Sequence, residues 1–291
     1  MGVALRVQRA APQLLVQDLG RPGWAHVGVP PSGALDHAAL AVANRLVGNP
    51  EAAAGLEILL GGCALVADGS VRIALTGAQL PLSVGAAPRP WGTAVSVGAG
   101  QRIEVGTAPG ALRSWLAVAG GIGVPCTLNS RSTDVLTGLG PRPVKLADVL
   151  PVGRAHSVPG AGEAVPTAYA AGPTRLRIRL GPRHDEFTGE ALRGLFTGEY
   201  AVSPRSDRVG VRLGAVDGRR LIRRKETELD SEGIVTGAVQ VPSSGQPLIF
   251  LADHPVTGGY PVVAVVAVAD RPHCAQLRPG DRVVFVEAPR H

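Results

Sequence analysis

Val262-Val263-Ala264-Val265-Val266-Ala267-Val268-Ala269 is the longest apolar run in the chain. It is too short to cross a bilayer and rich in valine, so it reads as a buried strand over Val262 to Val268. Short segments of the same kind recur on both sides of it. In the first half they are Ala4 to Gln8, Leu56 to Leu60, Val71 to Leu75, Ala94 to Val97, Arg102 to Val105 and Ser114 to Ala119. In the second half they are Leu176 to Leu180, Ala238 to Val241, Leu248 to Leu251 and Val283 to Glu287. Each alternates or runs continuously apolar, and Gly or Pro brackets most of them. The 39 glycines and 25 prolines are spread along all 291 residues, which suits tight turns and would break long helices. Two helices are expected. One spans Leu35 to Val47, capped by Ser32 and stopped by Gly48-Asn49-Pro50; the other spans Asp185 to Leu195. Many strands and few helices predict a mostly β chain of barrels or sandwiches.

Ala155 to Pro173 is almost all Ala, Gly, Pro and Val, with Glu163 as its one acid, and reads as a linker. It predicts two lobes, 1–158 and 172–291. Two internal echoes suit related lobes. Val27-Gly28-Val29-Pro30-Pro31-Ser32-Gly33 resembles Val239-Gln240-Val241-Pro242-Ser243-Ser244-Gly245, and Gly100 to Val105 resembles Gly280 to Phe285.

The net charge is +6, and arginine supplies nearly all of the basic side, since Lys145 and Lys225 are the only lysines. Arginine grips carboxylates and phosphates in a planar fork, although scattered arginines also follow from composition bias. With four Phe, three Trp and three Tyr there are few platforms on which bases could stack, and no nucleic-acid partner is expected. Cys63, Cys126 and Cys274 stand far apart with no CxxC, which suits a reducing cytoplasm. No signal-peptide pattern opens the sequence, and no membrane association is expected.

No P-loop, no GxGxxG after a strand and no GxSxG elbow occurs. The histidines form no HExxH, so no metal site is expected. Met1 is the only methionine, which excludes a Met-Lys-Met biotinylation site and thus covalently attached biotin. What remains is a set of polar turns, each with two readings. Ser32, in Val29-Pro30-Pro31-Ser32-Gly33, either caps the following helix, which carries Asp36, or opens its N-terminus to an anion. Asn129-Ser130-Arg131-Ser132-Thr133 sets hydroxyls beside a guanidinium, which holds a ligand oxygen or ties down its own loop. Ser206-Asp207-Arg208-Val209 is a structural ion pair, or an arginine oriented by Asp207 toward an anion. Asp253-His254-Pro255-Val256-Thr257-Gly258-Gly259-Tyr260 contains a turn that lets backbone approach a ligand, with Asp253 as base or turn cap.

Taken in order, these turns resemble the KipA family, also called the allophanate hydrolase subunit 2 or biotin-dependent carboxyltransferase family. The resemblance rests on Val16 to Gly23, Gly28 to Asp36, Ala43 to Asn49 and Ser130 to Thr133. In the second half it rests on Ser206 to Gly210, Gly237 to Pro242, Thr257 to Pro261 and Gln276 to Asp281. It covers about residues 12 to 287. Asn129 stands where the family usually has glycine, and His254-Pro255-Val256 replaces a commoner polar stretch.

The resemblance implies two cyclophilin-like β-barrel lobes and a cytoplasmic heterocomplex with a KipI-like (PxpB) subunit and a PxpA-like subunit. Members of this kind are implied to open 5-oxoproline to glutamate using ATP with Mg²⁺. The alternatives are a carboxyltransferase of the urea-carboxylase or allophanate type, and a non-enzymatic regulator that binds a KipI-like kinase inhibitor. The residues expected to serve are Asp253, Arg208 and Asp207 for catalysis. Ser32, Asp36, Arg131, Ser132, Gln240, Thr257, Gly258 and Tyr260 are expected to bind substrate. Arg131 and Arg208 are the expected anion ligands, with Asp207 orienting Arg208 and Asp253 as base or Mg²⁺-associated carboxylate.

Overall fold

The computed structural model of the chain describes residues 2–110, 112–155, 172–225 and 229–289. They divide into two compact units, Met1–Arg21 with Ser32–Ala168 and Pro22–Pro31 with Tyr169–His291. The first unit is therefore discontinuous in sequence. The expected boundary between 158 and 172, and nearly all of the expected linker Ala155 to Pro173, lie outside the described residues.

Eleven strands are described in the first unit: β1 (Ala4–Arg9), β2 (Gln13–Gln17), β3 (Gly55–Leu59), β4 (Cys63–Ala67), β5 (Val71–Gly77), β6 (Leu82–Val84), β7 (Ala87–Arg89), β8 (Ala94–Val97), β9 (Arg102–Val105), β10 (Arg113–Val118) and β11 (Val149–Pro151). They form two sheets, ordered β11-β1-β4-β9-β6-β7 and β2-β3-β10-β5-β8. Alternation decides which face is inside. In β1, Leu5 and Val7 turn inward while Arg6 and Gln8 face water. Both sheets contribute to one core, in which Leu5, Leu65 and Ile103 from the first meet Leu14, Ile58 and Leu116 from the second.

All six residues of β10 are buried, because its two faces have different covers. Leu116 and Val118 enter the core, while Ala117 on the other face packs with Ala74 beneath α1 (His37–Val47). Alanines on the sheet let Val42, Ala43, Leu46 and Val47 of the helix sit close. At Gly55 a Cβ would meet the Leu116 carbonyl at 2.9 Å and a Leu40 methyl at 3.0 Å. The helix begins two residues later than expected and is capped by Asp36, not Ser32: the Asp36 carboxylate accepts from Ala39 N at 2.9 Å. Ser32 has φ +50, four residues before the cap.

Nine strands are described in the second unit: β12 (Thr174–Leu180), β13 (Glu199–Val202), β14 (Gly210–Ala215), β15 (Glu232–Gly233), β16 (Ala238–Gln240), β17 (Leu248–Phe250), β18 (Thr257–Gly258), β19 (Val262–Val266) and β20 (Arg282–Glu287). Seven close into a barrel, β12-β19-β16-β17-β14-β13-β20, and β15 pairs with β18 as a separate ribbon. Closure is parallel, β12 running beside β20 with Leu176 opposite Phe285. Leu176 and Ile178 of β12 point into the barrel; Arg175, Arg177 and Arg179 point out. Tyr200 and Phe285 meet inside it, ring centroids 5.4 Å apart.

Two expected elements are shorter than the sequence suggested. The apolar run leaves the ladder after Val266, and Val268–Asp270 form a 3-10 turn whose Asp270 carboxylate accepts from Arg177 N at 2.7 Å. The expected helix Asp185 to Leu195 is split. His184–Glu186 form one 3-10 turn, Phe187 is extended and fully buried, and α2 (Gly189–Thr197) starts anew with Thr188 Oγ1 accepting from Ala191 N.

One of the two internal echoes has a structural counterpart. Gln101 N donates to Gly98 O and Asp281 N donates to Arg278 O. Gln101 Oε1 accepts from Gly98 N, as Asp281 Oδ2 accepts from Arg278 N. Gly100 N donates to Ala67 O in one unit and Gly280 N to Val202 O in the other. Each turn feeds the strand that pairs with β4 or β13, respectively. The other echo does not carry over: Val239 and Gln240 lie in a strand, whereas Val27 ends a 3-10 turn. Among the described residues no helix is long and apolar enough to cross a membrane.

Candidate functional site

In the first unit the organising group is Asp18, which is buried just past β2. Its Oδ1 accepts from Gly20 N at 2.8 Å and from the Ser130 and Ser132 hydroxyls at 2.6 Å each. Its Oδ2 accepts from Arg131 N at 2.5 Å. The Ser132 hydroxyl also accepts from Asp18 N, and the Ser130 hydroxyl from Ser132 N. A carboxylate with four donors holds the loop Ser130-Arg131-Ser132 in one conformation. The hairpin before the loop turns through Leu128 (φ +51) and Asn129 (φ +64), between Thr127 and Ser130, which exchange backbone hydrogen bonds. Left-handed backbone favours glycine, and asparagine tolerates it better than most other side chains.

With Ser132 spent on Asp18, the ligand-accessible group of this loop is the Arg131 side chain. It is half-buried, and its Nε donates to Val124 O at 2.7 Å. Its two terminal amino groups have no hydrogen-bond partner among the described residues, which leaves one side of the fork open. Ser32 adjoins this loop, its hydroxyl donating to Thr133 O at 3.3 Å, and Gln17 Nε2 donates to the same carbonyl at 2.8 Å. Arg21 is buried and donates through Nη2 to Ser132 O; Gly140 leaves room for it, since a Cβ there would stand 3.0 Å from Nη2. Arg21 Nη1, Gln17 Oε1 and Thr133 Oγ1 are buried without hydrogen-bond partners among the described residues. Asp36 serves as the cap of α1. Sequence reasoning passed over Asp18, Arg21 and Thr133, although all three stand in the quoted motifs.

In the second unit Arg208 pairs with Asp253, not with Asp207. Arg208 Nε donates to Asp253 Oδ2 at 2.9 Å and Nη2 to Oδ1 at 3.2 Å; both side chains are fully buried. The backbone repeats the link, Asp253 N donating to Arg208 O. Asp207 is exposed and closes its own turn by accepting from Val209 N at 2.8 Å and Gly210 N at 3.1 Å. The expectation that Asp207 orients Arg208 is thereby corrected. Asp253, expected as a base or Mg²⁺ carboxylate, has both oxygens engaged by a buried cation. Releasing it for either role would take a bidentate counter-ion away from a buried cation, at a cost of about 3–5 kcal/mol.

Gln240, Gly258 and Tyr260 do meet. Gln240 Nε2 donates to Tyr260 O at 2.8 Å, and a Cβ on Gly258 would lie 2.9 Å from that nitrogen. Thr257 and Gly258 form β18, with Thr257 opposite Gly233. Tyr260 is 45% exposed and Thr257 is exposed as well, so these are the two members that solvent reaches. His254 is buried against Phe250, ring centroids 6.0 Å apart.

Among the described residues no group of three His, Cys, Asp or Glu is placed to hold a metal ion. With Asp253 committed to Arg208, the side chains here do not fit a Mg²⁺–nucleotide, and no step is derived through one.

The model of the carboxyltransferase domain, subdomain A and B, matches residues 27–287. The chain is 37% identical to a 5-oxoprolinase subunit of Escherichia coli (strain K12), over 97% of its own length and 91% of that protein. Among solved structures it resembles TTHA0988 at a TM-score of 0.85 with 36% identity, covering 98% of this chain and 55% of that one. It also resembles the Kluyveromyces lactis urea carboxylase at a TM-score of 0.89 with 29% identity, covering 98% of this chain and 27% of that one. The chain thus spans about half and about a quarter of these two structures.

Proposed function

Because the chain belongs to the carboxyltransferase domain, subdomain A and B, family, we propose that it is one subunit of an ATP-dependent 5-oxoprolinase. It would act with a KipI/PxpB-like and a PxpA-like subunit to open 5-oxoproline to L-glutamate. The observation that carries this reading is the end-to-end match to the Escherichia coli 5-oxoprolinase protein, over 91% of its length.

A lactam is a poor electrophile, because its nitrogen delocalises into the carbonyl. Phosphorylating the carbonyl oxygen makes that oxygen a leaving group, and the chemistry then requires donors for a carboxylate and for phosphoryl oxygens. Arg131 suits the anion role: its loop is clamped by Asp18, and its terminal N–H groups are open. Arg208 is assigned a positioning role, since its Nε and Nη2 already serve Asp253. ATP and Mg²⁺ are assigned to the assembly rather than to residues of this chain.

The likeness to a urea carboxylase favours a second reading, carboxyl transfer from a biotin carried on another subunit. The decisive experiment mixes the purified chain with its partner subunits. Glutamate formed from 5-oxoproline only with ATP supports the oxoprolinase. Its absence from an intact complex, with biotin-dependent carboxylation of urea instead, favours the second reading.

A further inference from the structure

The outer face of the second unit's barrel carries a groove of about 480 Å³. It lies along the end of β12, flanked by Ala267 and Val268 after β19 and by Pro289 after β20. Arg177, Arg179 and Arg271 line it, and among the described residues no acidic side chain does. None of Asp207, Arg208, Gln240, Asp253, Thr257, Gly258 and Tyr260 is part of it.

The three guanidinium groups are in different states. Arg177 is satisfied by Asp270, to which it donates from Nε at 2.9 Å and from Nη2. Arg179 donates through Nη2 to Pro289 O at 3.1 Å and has no acidic partner among the described residues. The Arg271 guanidinium has no hydrogen-bond partner among the described residues, and its Nε is buried. Gly237 makes room for this side chain, because a Cβ there would stand 2.9 Å from Nε. Burial pushes the Arg271 guanidinium down from its ordinary value. A half-buried cation without a counter-ion gains more from an arriving anion than a solvated one does.

We propose that this groove binds a small organic anion, a carboxylate on a short apolar body, gripped by Arg271 and Arg179. The remaining lining is apolar or backbone, including Ala267, Val268 and Pro289, and Val268 is 71% exposed. A planar fork matches a carboxylate, and an apolar tail would cover the valine. The volume lies within the range usual for small-molecule sites.

The test is calorimetric titration of the full chain with hexanoate, acetate and inorganic phosphate at constant ionic strength. Hexanoate should bind saturably and at least tenfold more tightly than acetate or phosphate. Arg271→Gln and Arg179→Gln should each weaken hexanoate tenfold or more. Arg175→Gln, outside the groove, should leave it unchanged. Equal affinity for hexanoate and phosphate, no saturable binding, or equal affinity in wild type and the groove variants would overturn the proposal. Should Arg271→Gln fail to fold, the comparison of Arg179→Gln with Arg175→Gln decides alone.

Discussion

Arg131 and Arg208 are both arginines in polar turns, and the structure predicts opposite outcomes for losing them. Arg131→Ala removes one charge-assisted bond to Val124 O from a half-buried side chain, so the fold should lose at most about 1–2 kcal/mol. In reconstituted turnover the same change should weaken substrate affinity tenfold or more. Thermal melting and KM, measured side by side, check this; a lowered melting temperature with normal turnover would show that the arginine only anchors its loop. Arg208→Ala instead removes the buried cation paired with the Asp253 carboxylate and should cost about 3–5 kcal/mol. The double change Arg208→Met with Asp253→Leu should cost less than Arg208→Met or Asp253→Leu alone, because no charge is left buried. Urea unfolding of the three variants gives the coupling; additive losses would mean that the pair is not a unit.

At the scale of elements, α1 depends on a cap four residues further along than its sequence first suggests. Asp36→Ala should cost about 1 kcal/mol by denaturant unfolding, and Ser32→Ala clearly less as far as the helix is concerned. Ser32 lost the cap because its left-handed backbone leaves Leu35 and Asp36 to make the entry. Much of the sheet structure was legible. Ala94–Val97 and Arg102–Val105 coincide with their strands, since alternation and bounding glycines mark both ends. β4 and β14 were missed, because alanine and glycine within them blur the apolar pattern. The loop around Arg131 was readable as a polar cluster. Its clamp was not, because Asp18 reaches it across more than a hundred positions of chain. For the same reason Asp207, next in sequence, was chosen over Asp253 as the partner of Arg208. Ion pairs between segments distant in sequence leave no trace in local spacing.

For the whole molecule, buried ionisable groups set the response to pH and to thiol reagents. Burial opposes the charged form of Asp270, but the hydrogen bonds and charge of Arg177 prevail and hold its carboxyl below the ordinary range. A group depressed on folding contributes stability above its unfolded value, near pH 4, and loses that contribution as pH falls through the folded value. Asp270→Asn should therefore lower stability at neutral pH and flatten the acid limb of the melting-temperature curve. An unchanged acid limb would remove Asp270 from the account. In the other direction, burial pushes Cys274 up to about 12 and Cys63 to about 11. Their thiols stay protonated at neutral pH, and the stability linked to them is lost only as pH rises from the unfolded value toward these limits. Cys126 is exposed. A thiol reagent at neutral pH should therefore modify one cysteine per native chain and three after unfolding.

The parallel seam between β12 and β20 also sets a schedule for synthesis. Thr174 finds its partner only when Val283 has been made, so the barrel's opening strand has one edge uncovered until its last strand leaves the ribosome. Closure over such a separation is slow compared with local pairing. A nascent chain stalled before Arg282 should have a protease-sensitive second unit that becomes resistant once the last strand is released. All described strands of the first unit precede that point, and it should be protected earlier. Resistance of both units in the stalled chain would mean that the seam is dispensable for closing the barrel.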